Sequence, residues 1–238
     1  MLGTLINVAG IIFGALVGLS TGRNLPPSAQ QQARSVFTAL TVLTSLSLAW
    51  SGLAAPWSHA LKQSVIAVVA LIVGNAVGRA LRMQRALSRL ARWAATSSEP
   101  ASTPPPPGTV PFGTQAIAFA LNPLGIVGAV LAGWTGDWRV LALKAGLDAL
   151  AALGFSAAGS RTVILAVIPL IAVQGTLTLL MAITVARFPD PVLAASLRIT
   201  SGLLVLITAP VIFGWRQVPL ANYLPALAIA LLLAAWWF

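Results

Sequence analysis

TVILAVIPLIAVQGTLTLLMAITVA, residues Thr162–Ala186, runs 25 residues without one charged side chain. A helix needs about 20 mostly apolar residues to cross the hydrocarbon of a bilayer. A helix on the surface of a soluble domain carries a polar face, and this one has none. The stretch therefore reads as a membrane span. The whole chain agrees, with 58% apolar residues, 8% charged residues and a mean hydropathy of +0.92. Soluble domains hold about 45–50% apolar and about 25% charged residues.

Working outward, seven more segments of this kind appear: Met1–Ser20, Ala33–Leu53, Ser64–Leu81, Gln115–Gly133, Trp138–Ala158, Pro191–Gly214 and Pro219–Phe238. Turn chemistry separates them at Asn24–Pro27, Pro56, Thr135–Asp137, Gly159–Arg161, Pro189–Pro191 and Gln217–Pro219. The fold class is an all-α integral membrane protein of about eight transmembrane helices. The first segment starts apolar, without a basic leader region, and reads as a span rather than a removed signal.

The net charge of +10 sits mostly between the apolar runs, which sets membrane orientation and is not a nucleic-acid signature. Arg79, Arg82, Arg85, Arg89 and Arg92 form the densest basic cluster, which the positive-inside rule places in the cytoplasm. Alternation then puts Arg23, Arg34, Arg161 and Arg216 inside too, with both termini outside. Residues 82–95 read as a basic amphipathic interfacial helix, and the stretch Arg79–Arg92 favours anionic lipid. Residues 96–113, with the Pro104–Pro107 run, read as a Pro/Ser-rich linker. It separates a three-helix unit, 1–81, from a five-helix unit, 114–238.

The two units begin alike. Asn7-Val-Ala-Gly10 in the first segment matches Asn122-Pro-Leu-Gly125 in the fourth, each followed by further glycines. The third and sixth segments also align, Ser64-Val-Ile against Thr162-Val-Ile. A three-helix unit repeated once inserts its second copy upside down. The pattern thus reads as an inverted repeat of segments 1–3 and 4–6 with two C-terminal helices added, a plan of secondary transporters with a midplane site.

Few residues are available for chemistry. There is no cysteine, one histidine (His59) and four carboxylates, Glu99, Asp137, Asp148 and Asp190. No catalytic triad, nucleotide loop or metal motif appears, so neither enzyme activity nor a cofactor is expected. Lys144 and Asp148 stand four apart and share a helix face. Asp148 lies ten residues from either end of its segment, too deep to snorkel, whereas Lys144 is nearer the outer end. Charges at that depth are functional candidates by default. They are either a structural ion pair or a coupling-ion site with its counter-charge. Asn122-Pro123 interrupts the fourth segment, since proline supplies no N–H and frees the carbonyl one turn earlier. The interruption is a simple kink or a discontinuous helix whose N-terminal half end attracts an anion. Gln174 bridges helices or meets a solute. Asn7, Asn122, Gln174, Lys144, Asp148 and Asp137 complete the candidate solute or ion site. Gly10, Gly14, Gly18 and Gly22 form one helix face, for close packing within the subunit or for a homodimer seam.

Several elements resemble the bacterial membrane family known as domain of unknown function 554, the YdfK/YqgA-like proteins. They are Gly3-Thr-Leu-Ile-Asn7, the run Gly136-Asp137-Trp-Arg-Val-Leu-Ala-Leu-Lys144-Ala-Gly-Leu-Asp148, Gln174-Gly175 and Leu220-Ala-Asn222-Tyr-Leu-Pro225. The resemblance covers nearly all of the chain except the linker. It implies a bacterial inner-membrane protein and brings no substrate. The family pattern carries a glutamate after the glycine matching Gly78, where this chain has Arg79, and an acidic residue near Arg198. The function expected is transport of a small solute or ion. The alternatives are a homodimeric channel and a non-transporting scaffold or regulator.

Overall fold

The computed structural model describes residues 1–53, 57–97 and 109–238. Most of the linker, including Glu99 and the Pro104–Pro107 run, lies outside the described residues. Every element among the described residues is helical: α1 (Leu2–Thr21), α2 (Pro27–Gly52), α3 (Trp57–Ala80), α4 (Met83–Ser97), α5 (Phe112–Ala120), α6 (Pro123–Thr135) and α7 (Arg139–Ala157), then α8 (Arg161–Arg187), α9 (Pro191–Phe213) and α10 (Leu220–Trp237). Seven of them (α1, α2, α3, α7, α8, α9 and α10) are long and apolar enough to cross a membrane, and the bent pair α5/α6 passes the same test as a unit. Leu5, Phe13, Leu43, Ile72, Ile168, Ile183 and Leu232 are all exposed, an apolar perimeter that water would not tolerate. The chain is a multi-pass membrane protein by these features.

Helix ends follow local chemistry. Gly22 ends α1 at φ 59° and its N–H bonds the Gly18 carbonyl, a left-handed cap that glycine reaches without a Cβ penalty. Asp190 starts α9, accepting hydrogen bonds from Val192 N (2.7 Å) and Leu193 N (3.4 Å). That carboxylate is therefore a helix cap.

Glycine contacts fix the relative directions of the helices. A Cβ on Gly3 would strike Leu141, one on Gly10 would lie 2.7 Å from the Ala145 carbonyl oxygen, and ones on Gly14 and Gly18 would meet the Ala149 and Leu153 carbonyls. Residue numbers rise together, so α1 and α7 run parallel. Gly125 meets Lys144 and Gly128 meets Leu141, so α6 runs antiparallel to α7. Gly52 on Ala195 and Gly202 on Ala49 make α2 and α9 antiparallel. Gly74 on Ala226 and Gly78 on Asn222 do the same for α3 and α10. The glycine face of α1 is therefore consumed inside the subunit, and it is not free to form the dimer seam considered from sequence.

Each front helix finds its main partner in the back half: α1 on α7, α2 on α9, α3 on α10. The stretches 1–81 and 114–238 thus interleave. One apolar cluster around Leu131, Leu197 and Leu204 fills the space between α6, α7 and α9, and a second around Ile11, Phe119 and Leu170 joins α1, α5 and α8. The polar site lies in this second region. Trp50, Trp57 and Trp236 are exposed at the end of the bundle where α1 begins, as an interfacial aromatic belt requires.

Candidate functional site

The site begins at a missing hydrogen bond. In a continuous helix the Phe119 carbonyl would accept from the N–H of residue 123, but that residue is proline. The segment breaks there, α5 and α6 meeting at 43°. In hydrocarbon a freed carbonyl must find another donor. Lys144 supplies it: its Nζ donates to the Phe119 oxygen at 3.0 Å and forms an ion pair with the Asp148 carboxylate one turn along α7. Lys144 is 0% exposed and Asp148 5%. Lys144 therefore does not snorkel. Gly125 makes room for it, since a Cβ there would lie 2.6 Å from Lys144 Cε and 2.7 Å from Gln174 Nε2.

Two amides close the cluster. Asn7 of α1 donates from Nδ2 to Gln174 Oε1 of α8 at 3.3 Å, and the Asn7 side chain also interacts with the Asp148 carboxylate. Both amides are fully buried. Yet Asn7 Oδ1 and Gln174 Nε2 have no hydrogen-bond partner among the described residues, and a buried amide group left unpaired costs about 1–3 kcal/mol. An unpaired acceptor and an unpaired donor thus sit beside an ion pair.

The helix carrying Gln174 is irregular around it. α8 opens as a 3₁₀ helix (Arg161–Ala166), makes one α turn (Val167–Leu170), widens to a π turn (Ile171–Gly175) and resumes as α helix (Thr176–Arg187). Single π turns inside helices recur at functional sites. Just after the π turn the helix is tied to α6: the Thr178 hydroxyl donates to the Ala129 carbonyl at 3.3 Å.

Four of the six sequence candidates therefore converge: Asn7, Lys144, Asp148 and Gln174. Two do not. Asn122 is the N-cap of α6. Its side chain accepts from Leu124 N at 3.0 Å, while its own carbonyl accepts from Gly125 N (2.9 Å) and Ile126 N (3.1 Å). With Pro123 lacking a donor, the first N–H groups of α6 are all engaged, which removes the anion-attracting half-helix end expected from sequence. Asp137 lies in the α6–α7 loop, paired with Arg139, whose other nitrogen donates to Ser47 of α2 at 2.6 Å. Burial pushes the Asp137 carboxyl up, but hydrogen bonds from the Arg139 side chain and backbone and the charges of Arg139 and Arg198 outweigh it, leaving the group below its ordinary range. It is a loop lock rather than part of the cluster.

Pro123 points in sequence to the Phe119 carbonyl four residues back, but no residue pattern shows which donor reaches it, and one inter-helix tie outside the cluster leaves even less trace. The Gln63–Ser196 hydrogen bond, with Gln63 Nε2 also donating to the Val192 carbonyl at 3.2 Å, ties α3 to α9. An isolated amide at the head of an apolar segment was its only trace.

The chain is 26% identical to the Uncharacterized protein YqgA of Escherichia coli (strain K12), over all of this chain and 97% of that protein. No solved structure matches it. A family model described as protein of unknown function (DUF554) matches residues 2–235, so the chain belongs to the DUF554 family.

Proposed function

We propose that the protein is a secondary transporter of a small solute or ion, with its site at the Asn7/Lys144/Asp148/Gln174 cluster. One observation carries this reading: unpaired Asn7 Oδ1 and Gln174 Nε2 atoms lie, fully buried, beside a buried ion pair. A purely structural pair would be expected to have its surroundings satisfied. Asp148 is the coupling-ion or proton site, Lys144 its counter-charge, and the helix break and π turn are where the backbone is free to rearrange. No catalytic role is assigned to the cluster.

Eight crossings fit this reading. With α1 parallel to α7 and α3 running in the same direction as α1, the chain between α3 and α7 crosses once, through the bent pair α5/α6. Nine basic residues then share the α4 side and three the other. This supports an inner-membrane protein with α4 inside and both termini outside. Inversion is supported for the opening helices: α1 and α6 run in opposite directions, and Gly10 and Gly125 of the two Asn-x-x-Gly elements press on adjacent residues of α7, Ala145 and Lys144. It does not extend evenly, since α6 lies along α8 while α1 and α3 share no comparable contact among the described residues.

The test is reconstitution of wild type and Asp148→Asn in liposomes, with proton and small-ion fluxes followed by entrapped dyes. The expected result is a wild-type flux that depends on pH and is lost in a normally folded Asp148→Asn. Equal fluxes with equal pH dependence would remove the coupling role.

A further inference from the structure

We infer that the elbow between α3 and α4 is a discrete binding site for an anionic glycerophospholipid. Its phosphate sits among arginines, and one acyl chain lies in the adjoining cleft. The headgroup pocket, about 450 Å³, is lined by Arg79, Arg82, Gln84, Arg85 and Asn222. Among the described residues no carboxylate lines it, and the ion pairs there are Arg139–Asp137 and Lys144–Asp148, so none of the three guanidiniums has an acidic partner among them. A dianionic or monoanionic phosphate ester is the natural complement to such a set, through fork-shaped N–H donation.

The pocket is built rather than a chance gathering of surface arginines. Arg82 holds a left-handed backbone at φ 54°, which a non-glycine residue keeps only where its surroundings impose it. Two crossed hydrogen bonds do so. Gln84 N donates to Asn222 Oδ1 at 3.1 Å, and Ala221 N donates to Gln84 Oε1 at 3.3 Å. The elbow is thereby bolted to the start of α10. Asn222 itself is buried.

An apolar cleft of about 400 Å³ opens beside it, walled by Leu81, Leu87 and Leu90 on one side and by Leu121, Ile126 and Leu224 on the other. The two are lined by neighbouring residues of the elbow and by Asn222 and Ala221 in turn. Charge next to a lipophilic slot is the complement of a phospholipid, not of free phosphate. Free phosphate would need only the arginines, and a diffuse basic surface would need neither the bolt nor the slot. The slot also reaches Leu121 and Ile126, the residues flanking the break between α5 and α6.

The test uses the full chain in a neutral detergent, with binding read by native mass spectrometry and by thermal shift. The probes are phosphatidylglycerol, phosphatidylcholine and inorganic phosphate. Three proteins are compared: wild type, Arg79→Gln/Arg85→Gln inside the pocket and Arg89→Gln/Arg92→Gln farther along α4, outside it. Expected is retained phosphatidylglycerol with a raised melting temperature, neither phosphatidylcholine nor phosphate giving the shift. Binding should fall about tenfold or more in the pocket variant, with the outer variant like wild type. Equal weakening in both variants would replace the site by diffuse attraction. An equal shift with inorganic phosphate would make it a free-anion site, and an equal shift with phosphatidylcholine would remove the role of charge. Each of these outcomes overturns the proposal. Should the double pocket variant not fold, Arg85→Gln alone against Arg89→Gln gives the same comparison.

Discussion

Replacing the Lys144–Asp148 pair in steps should separate its three bonds. Asp148→Leu leaves a buried ammonium facing only the Phe119 carbonyl. Lys144→Met leaves a buried carboxylate and, in addition, an unpaired Phe119 oxygen. Removing one partner of a buried pair costs about 3–5 kcal/mol, whereas replacing both with apolar residues is often neutral. The double change still orphans the Phe119 carbonyl, at about 1–3 kcal/mol. The expected order of stability is therefore wild type, then the double variant, then Asp148→Leu, with Lys144→Met lowest. For a chain of this size a loss of 3 kcal/mol corresponds to about 6–12 °C in melting temperature. Thermal melting of the monodisperse protein in detergent reads it. Adding Pro123→Ala to the double variant gives residue 123 an N–H for the Phe119 oxygen, and should recover most of the remaining deficit. If both single variants melt with the wild type, or if Pro123→Ala does nothing in the double background, the reading of the break is wrong.

Other consequences are simpler. Gly14→Ala puts a methyl into the Ala149 carbonyl and should split α1 from α7, seen as loss of the folded monodisperse species, whereas Gly22→Ala at the α1 cap meets nothing and should cost only about 1 kcal/mol of left-handed strain. Asp137→Asn should destabilise at neutral pH and be silent in strong acid. The folded carboxyl lies below its ordinary value of about 3.9, so its contribution is full above that value and disappears as pH falls through the depressed one; a melting series against pH checks the sign.

Much of this was legible in the residues, for reasons that differ by element. Apolar length found the spans because hydrocarbon imposes it. The apolar pattern of the second segment begins at Ala33 although α2 starts at Pro27, because Gln30, Gln31 and Gln32 make its first turns polar. Spacing found the Lys144–Asp148 pair because i and i+4 must share a face. Proline chemistry found the break and the freed carbonyl. Nothing local could announce that Lys144 is the donor, or that Asn7 lies against Gln174, 167 residues away in sequence. The π turn was equally hidden: Pro169 stands just before it, but a proline shows only that the ladder is disturbed, not that the helix widens over Ile171–Gly175. Asp137 counts as a candidate in the sequence because a carboxylate in a loop next to a span looks the same whether it faces a site or an arginine two residues on.

The double variant Lys144→Met/Asp148→Leu also gives the most direct test of the transport site, because it removes both charges while keeping an apolar fit. Its flux in liposomes should be measured beside the wild type after both are shown to be folded. A folded double variant without the wild-type pH-dependent flux is the predicted result. A folded double variant that carries the wild-type flux would make the buried pair scaffolding and contradict the account.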